Sequence, residues 1–309
     1  MNSDQPNVVP HQILQSKLIR IAMILGLVFF GTLVWGWAVA WRSLVPVTKY
    51  NQLELPTEPM SQGYQEVVDT HPRPYILQLQ DRTVRVMIYG IEHTKDPQAP
   101  ELIDLRNKLD NFAPTVVLIE GRLGFLPPLV ADPIREFGES GFVYRWGRQH
   151  GLPVMTWELP LESEIAAATK SHSLEQAWLY FVLRPYCSNL RHGRPESPDA
   201  VVADLVESRS QWPQFRDEKF TIKDFERVWS EAFPNLDWRD ESDQDGLPGF
   251  LNQIGLQVSL ARDIHLSQMI LGLALEGHRV FVVAGSAHAV KIEPVMRAAF
   301  PLVELVPQN

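Results

Sequence analysis

RVFVVAGSAH, from Arg279 to His288, is an apolar, β-branched run that breaks at a glycine three residues before a histidine. Such a run reads as a buried strand. The chain carries the pattern twice: VRVMIYGIEH, Val84 to His93, stops at Gly90 and again delivers a histidine three residues on. After His93 come a polar turn, a helical pattern (Glu101 to Phe112), a proline and a second apolar run, TVVLIE. After His288 come a shorter helical pattern (Pro294 to Phe300), a proline and LVELV. The two halves read as β-GxxH-α-β pseudo-repeats with one histidine per half at corresponding strand ends. In open α/β sheets that end is where ligands bind.

The neighbouring sequence extends this frame. YILQL and TVRVMIY read as a hairpin that feeds the first GxxH strand, and Pro100 opens a helix whose apolar face is Leu102, Leu105 and Leu109. Asp132-Pro133 is a helix start, and PVMTWE is a third strand that ends in Glu158. Strands alternating with helices predict an α/β domain with a mixed, largely parallel sheet. The rhythm is lost over residues 161–254, where helical patterns predict an insertion. The folded domain is therefore expected over residues 75–309.

Ahead of it, residues 1–20 read as a polar arm. Ile21 to Trp41 is an uncharged run of 21 residues, which as a helix spans about 30 Å, the thickness of a bilayer core. Trp35, Trp37 and Trp41 suit an interfacial belt at one end. Ala38-Val39-Ala40 also fits a signal-peptidase site, but the apolar run is longer than a signal sequence needs. A single-pass anchor with the C-terminal domain outside the cytoplasm is the expectation; a secreted, cleaved protein is the alternative. Residues 42–74 carry Pro46, Pro56, Pro59, Pro72 and Pro74 and read as a linker.

Composition narrows the function classes. Over 309 residues, 45 % apolar content sustains a real core, and a net charge of −9 without a basic stripe excludes a nucleic-acid partner. One cysteine, Cys187, excludes an internal disulfide framework and a thiolate metal cluster. Oligomeric state is left open.

Four side chains fall at the ends of predicted strands: His93, Glu120, Glu158 and His288. Imidazoles and carboxylates converging in this way suit a divalent ion such as Mn, Co or Zn. Arg262 interrupts the apolar stripe Val258, Leu266, Met269 and Leu273 of a long helix. A guanidinium buried there needs a partner, either in a structural ion pair or at the strand ends where Glu120 and Glu158 finish.

Gly90-Ile91-Glu92-His93, Gly285-Ser286-Ala287-His288, the strand VVLIEGR and the helix LARDIHLSQMI resemble the TraB/PrgY/GumN family. That family is related to the Tiki proteases and, more distantly, to erythromycin esterases and the haem-binding ChaN lipoproteins. The resemblance covers residues 83–158 and 255–305. It implies an α/β core in which His93, His288 and Glu120 form the active site and Arg262-Asp263 matches an Arg-Asp helix motif. Leu266 stands where the family commonly has methionine. In the Tiki branch the resemblance implies metal-dependent proteolysis.

The expectation is a membrane-anchored, metal-dependent hydrolase of a peptide or amide bond, acting on a peptide or small-molecule substrate. His93 and His288 hold the metal, with Glu120 as ligand or general base and Glu158 as a further candidate ligand; Arg262 stabilises the developing oxyanion. Two alternatives stand beside it: a metal-independent, esterase-like hydrolase with His93 as general base, and a non-catalytic protein that binds a peptide or haem.

Overall fold

A computed structural model describes residues 10–61, 70–80, 83–243, 246–301 and 304–305. The first nine residues of the expected arm, residues 62–69 of the expected linker, Asp81 and Arg82 of the hairpin turn, and much of LVELV lie outside the described residues.

The chain is α/β, built on a mixed, mostly parallel sheet. Its strands are β1 (Tyr75–Gln80), β2 (Arg85–Ile91), β3 (Val116–Ile119), β4 (Val154–Thr156), β5 (Arg279–Gly285) and β6 (Glu304–Leu305), in the order β4-β3-β5-β2-β1-β6. β2, β5, β3 and β4 run parallel, whereas β1 is antiparallel to both β2 and β6. The two GxxH strands are thus direct neighbours, because β5 inserts between β2 and β3. Every residue of β3 is buried, as are all but the first of β5. That is why these runs are continuously apolar rather than alternating.

From β2 the chain steps outward through α2 (Pro100–Phe112) to β3 and through α3 (Pro133–Gln149) to β4. It then returns through α8 (Phe250–Leu275) to β5 and continues through α9 (Ser286–Ala299) to β6. Crossovers of one hand place helices of outward and returning steps on opposite faces. Accordingly Leu102, Leu105 and Phe142 of α2 and α3 pack with Tyr89, Ile119 and Val283. Leu266, Ile270 and Val295 of α8 and α9 pack with Ile88, Leu118 and Val282 on the other face. The adjacent strands β2 and β5 send their following helices to opposite faces and opposite sides of the sheet, which puts the crevice for a ligand at their carboxyl ends.

Between β4 and β5 lie α4 (Leu161–Thr169), α5 (Leu174–Asn189), α6 (Pro198–Ser210) and α7 (Ile222–Ala232). They form a helical unit with its own core, in which Trp178, Phe215 and Phe225 pack against Leu251 and Ile254 of α8. Its helix starts are locally specified: Ser173 makes a reciprocal capping box with Gln176, and Thr221 makes one with Asp224.

Three expectations change. The second half keeps the β-α-β order of the first, with β6 running in the same sense as β5, but its helix α9 begins immediately at Ser286 instead of near Pro294, and β6 lies at the sheet edge beside β1. The arm reading fails for residues 10–20, which continue as helix α1 (Pro10–Val39). Its Arg20–Val39 portion has a mean hydropathy of 2.0 and is long and apolar enough to be a membrane span or a signal sequence. The stretch after it is no free linker: Trp41 is buried against Tyr144, and Tyr50 lies on Gly272 of α8. Gln268 donates to the carbonyls of Asn51 and Leu53, and His265 bonds Asn51 at 2.8 Å. These contacts are aperiodic, so no sequence pattern announces them.

The register also reassigns the motif glycines. Gly90 pairs with Ala284 and Ile91 with Gly285, so the two glycines are one residue out of step across the sheet. A Cβ on Gly90 would stand 2.7 Å from the Ala289 Cβ and 2.9 Å from the Tyr75 carbonyl oxygen. Gly90 therefore exists to let α9, the helix of His288, lie directly on the sheet. Gly90→Ala should cost about 1–3 kcal/mol of stability through overpacking. Urea unfolding of the variant checks this, and an unchanged midpoint would show that α9 has room to retreat.

Candidate functional site

Glu120 follows the last residue of β3 and stands at the centre of the crevice. Its Oε2 accepts the Gly285 backbone N–H at 2.8 Å, and its Oε1 accepts Arg262 Nη2 at 2.9 Å. Ser140 of α3 donates to the Glu120 carbonyl at 2.6 Å. Both motif histidines turn the Nε2 edge toward this carboxylate, His93 at 3.8 Å from Oε2 and His288 at 3.9 Å from Oε1.

Each imidazole is oriented from behind by a second carboxylate. His93 Nδ1 lies 2.6 Å from Glu139, whose other oxygen accepts the Thr94 backbone N–H. His288 Nδ1 lies 2.5 Å from Asp263, which has no exposed side-chain surface. Engaging Nδ1 in this way fixes ring orientation and directs Nε2 into the site. The two rings differ in access, since the His93 side chain is 38 % exposed and that of His288 only 12 %. His93 also opens onto a surface hollow that it shares with Thr94, Lys95, Phe137 and Glu139.

Arg262 ties the carboxylates together. Its Nη2 donates to Glu120 and to Glu158, each at 2.9 Å, and its Nη1 sits 3.3 Å from His288 Nε2. The guanidinium lies over the Trp157 ring, whose indole N–H donates to the Val283 carbonyl. Glu158 is further held by the Gly121 backbone N–H at 3.0 Å, which places it behind Arg262 rather than beside the histidines. One turn of chain further, Arg122 pairs with Glu164 of α4, so the helical insertion also contributes to the wall.

The electrostatics follow from this packing. Glu120 and Glu158 share the Arg262 guanidinium, while Glu139 and Asp263 engage His93 and His288. Burial works against ionising Glu120, but His93, Arg262, His288 and the Gly285 N–H outweigh it and hold its carboxyl far below the usual range. Burial likewise opposes ionisation of Glu158, and Arg262 brings its pKa below the usual carboxylate value. For His93, burial favours the neutral ring, yet Glu120 and Glu139 prevail and raise its pKa to about 9. At neutral pH and with nothing else bound, His93 is an imidazolium.

Of the residues singled out in the sequence, His93, Glu120, His288 and Arg262 meet in one cluster, and Glu158 joins it only through Arg262. Arg262 has both terminal nitrogens engaged and its Nε buried without a partner, so it organises the site more than it faces a substrate. Glu139 carries no periodic signal in the sequence, because Gly138, at φ 60° and ψ −146°, breaks the helical spacing just before it. A Cβ there would meet the Thr94 carbonyl oxygen at 2.7 Å, so the kink is what brings Glu139 under His93. Asp263 had a usable signal, its place beside Arg262. Gly285 leaves space of a different kind, since a Cβ on it would lie 3.0 Å from His93 Nε2.

A divalent ion fits the donor chemistry: two imidazoles with carboxylate-engaged Nδ1 atoms present Nε2 to one carboxylate, in surroundings with surplus negative charge. Among the described residues, however, no group of three or more acidic, histidine or cysteine side chains is already gathered as a metal site. The Arg262 guanidinium takes up the contacts of Glu120 Oε1 and His288 Nε2.

Comparison of the chain with protein-family models, with curated proteins and with solved structures finds no significant match.

Removing Arg262 leaves the buried Glu158 and the largely covered Glu120 uncompensated, so Arg262→Met should lower stability at pH 7 by about 3–5 kcal/mol. Depressed carboxylates contribute stability that is full above their unfolded pKa and is lost as pH falls through the folded value. The gap between wild type and variant should therefore be widest at neutral pH and narrow below about pH 4.5. Denaturation at pH 7 and pH 3 measures both, and a gap that does not depend on pH would disprove the ion-pair origin.

Proposed function

We propose that this chain is a membrane-anchored hydrolase of a peptide or amide bond, of the kind that the TraB/PrgY/GumN and Tiki resemblance implies, with α1 as a single membrane span. The observation that carries the reading is the pair of carboxylate-oriented imidazoles whose Nε2 atoms both face Glu120. His93, Glu120 and His288 are the residues that would hold a divalent ion (Mn, Co or Zn). Such an ion supplies Lewis-acid polarisation of a carbonyl and hydroxide at neutral pH.

The chain's own groups divide the remaining work. Asp263 accepts the Nδ1 proton of His288, which leaves the Nε2 lone pair directed into the site. Glu139 does the same for His93, the ring nearer to solvent, where a scissile bond has room to enter. Arg262, held by Glu158, keeps Glu120 ionised and in place. Trp157 screens that ion pair from water.

A second reading needs no metal, and Arg262 favours it: a guanidinium 3.3 Å from His288 Nε2 already supplies positive charge where an ion would sit. In that case the His93 imidazolium donates its proton to the leaving amine, and His288 accepts a proton from water.

Full-length protein purified in detergent without chelator, assayed for bound metal and against a mixed peptide library, separates the two. The metal reading expects about one equivalent of ion per chain, and a loss of at least about 100-fold in peptidase activity on chelation. His93→Ala and His288→Ala should each abolish metal content and turnover with thermal unfolding little changed. Activity that survives chelation and needs both histidines would install the metal-free reading. Variants that merely unfold, with no common effect on metal or turnover, would make the histidines structural and remove the hydrolase proposal.

A further inference from the structure

The chain that leaves α1 is stitched to the loop that leaves Glu120. Trp41 and Leu126 form an antiparallel bridge, with Trp41 N–H to Leu126 O at 2.7 Å and the return bond at 3.3 Å. Leu44 N–H reaches Arg122 O at 2.6 Å, so two extended segments lie side by side from the site's edge to the helix end. Antiparallel pairing sets a direction: as residues 41–44 run away from α1, residues 122–130 run back toward it. Beyond Leu126 the loop folds into a turn, with Val130 N–H bonded to Pro127 O at 2.9 Å.

This turn is apolar and bare. Phe125 is 53 % exposed, Leu129 65 % and Val130 85 %. Adjacent Pro127 and Pro128 limit the backbone freedom of the turn, so its two aliphatic side chains are held outward. Phe125 packs on Trp37, two residues before the end of α1, with ring centroids 5.3 Å apart. Arg42 covers both rings and bonds the Trp37, Ala40 and Trp41 carbonyls, which caps the end of the helix. An exposed apolar turn is costly in water unless something covers it. Here it is continuous with the tryptophan-bearing end of a helix long and apolar enough to cross a bilayer.

We propose that residues 125–130 form a second membrane contact, in which Leu129 and Val130 dip into the interfacial region of the same bilayer that α1 crosses. This rests on the membrane-span reading of α1 given above. The occupant is lipid, and the contact is apolar, so it needs no anionic headgroup. The consequence for function is orientation: the loop begins at Glu120, so the crevice is held near the bilayer surface, within reach of the membrane-proximal part of a membrane-tethered substrate.

The test uses the full chain reconstituted in phosphatidylcholine vesicles, with an environment-sensitive fluorophore on Val130→Cys or Leu129→Cys. Cys187 is fully buried, with its thiol pushed up to about 12 by burial, and stays unlabelled. Asn111→Cys, exposed near the end of α2 on the side of the amino ends of the strands, is the control. Lipids that carry a nitroxide just below the headgroup should quench the loop probes about twofold or more and leave the control unquenched, independently of salt and of added anionic lipid. The same samples are washed with alkaline carbonate. Retention in the membrane with loop probes quenched no more than the control overturns the loop contact and leaves the anchor standing. Release by carbonate overturns the anchor, and release without quenching overturns both.

Discussion

One guanidinium, Arg262, stands between two carboxylates, Glu120 and Glu158, at the mouth of the sheet. Neither acid is tolerable there alone, because burial opposes its charge, and together they would repel. The cation that reconciles them comes from α8, a helix also fastened to the sheet by Leu266, Ile270 and Leu273. The ion pair is therefore held at the meeting of β3, β4 and α8, and the packing of those elements sets its geometry. Because the charged site groups on these elements depend on one another, none can be replaced without disturbing the rest.

The histidines are arranged around that core by separate devices. His288 stands in the first turn of α9, which can lie on the sheet only because Gly90 has no side chain. His93 follows β2 and has space for its ring because Gly285 is bare, while the kink at Gly138 delivers Glu139 to its Nδ1. The glycine of each motif thus serves the histidine of the other: Gly90 makes room for the helix of His288, and Gly285 makes room for His93. The motif pair is a statement about mutual packing across β2 and β5.

That distinction explains what could be read from the chain alone. The buried strands are legible because a sheet covered on both faces demands unbroken β-branched runs, and their acidic or histidine ends follow from where those runs stop. The convergence of Arg262 on Glu120 and Glu158 was one of two readings, and only coordinates decide it. Glu139 was not legible, since a positive φ at Gly138 leaves no periodic trace. The docking of residues 41–53 was hidden for a similar reason: Trp41, Tyr50 and Asn51 make single, well-spaced contacts in a proline-rich stretch. The internal repeat is legible as an element order but not as a position, because the first pattern ends in β3, one strand from one edge of the sheet, and the second ends in β6 at the other edge.

The central claim is that Glu120 is an ionised carboxylate to which both imidazoles answer, and His93 reports on it directly. Side-chain NMR of His93 in chelator-treated protein, titrated from pH 5 to 10 in wild type and in Glu120→Gln, measures the coupling. Wild-type His93 is expected to titrate near its raised value of about 9. In Glu120→Gln, with one of its two negative neighbours neutralised, the midpoint should fall by at least about one unit toward the free-imidazole value of about 6.5. Equal midpoints in the two proteins would contradict the account.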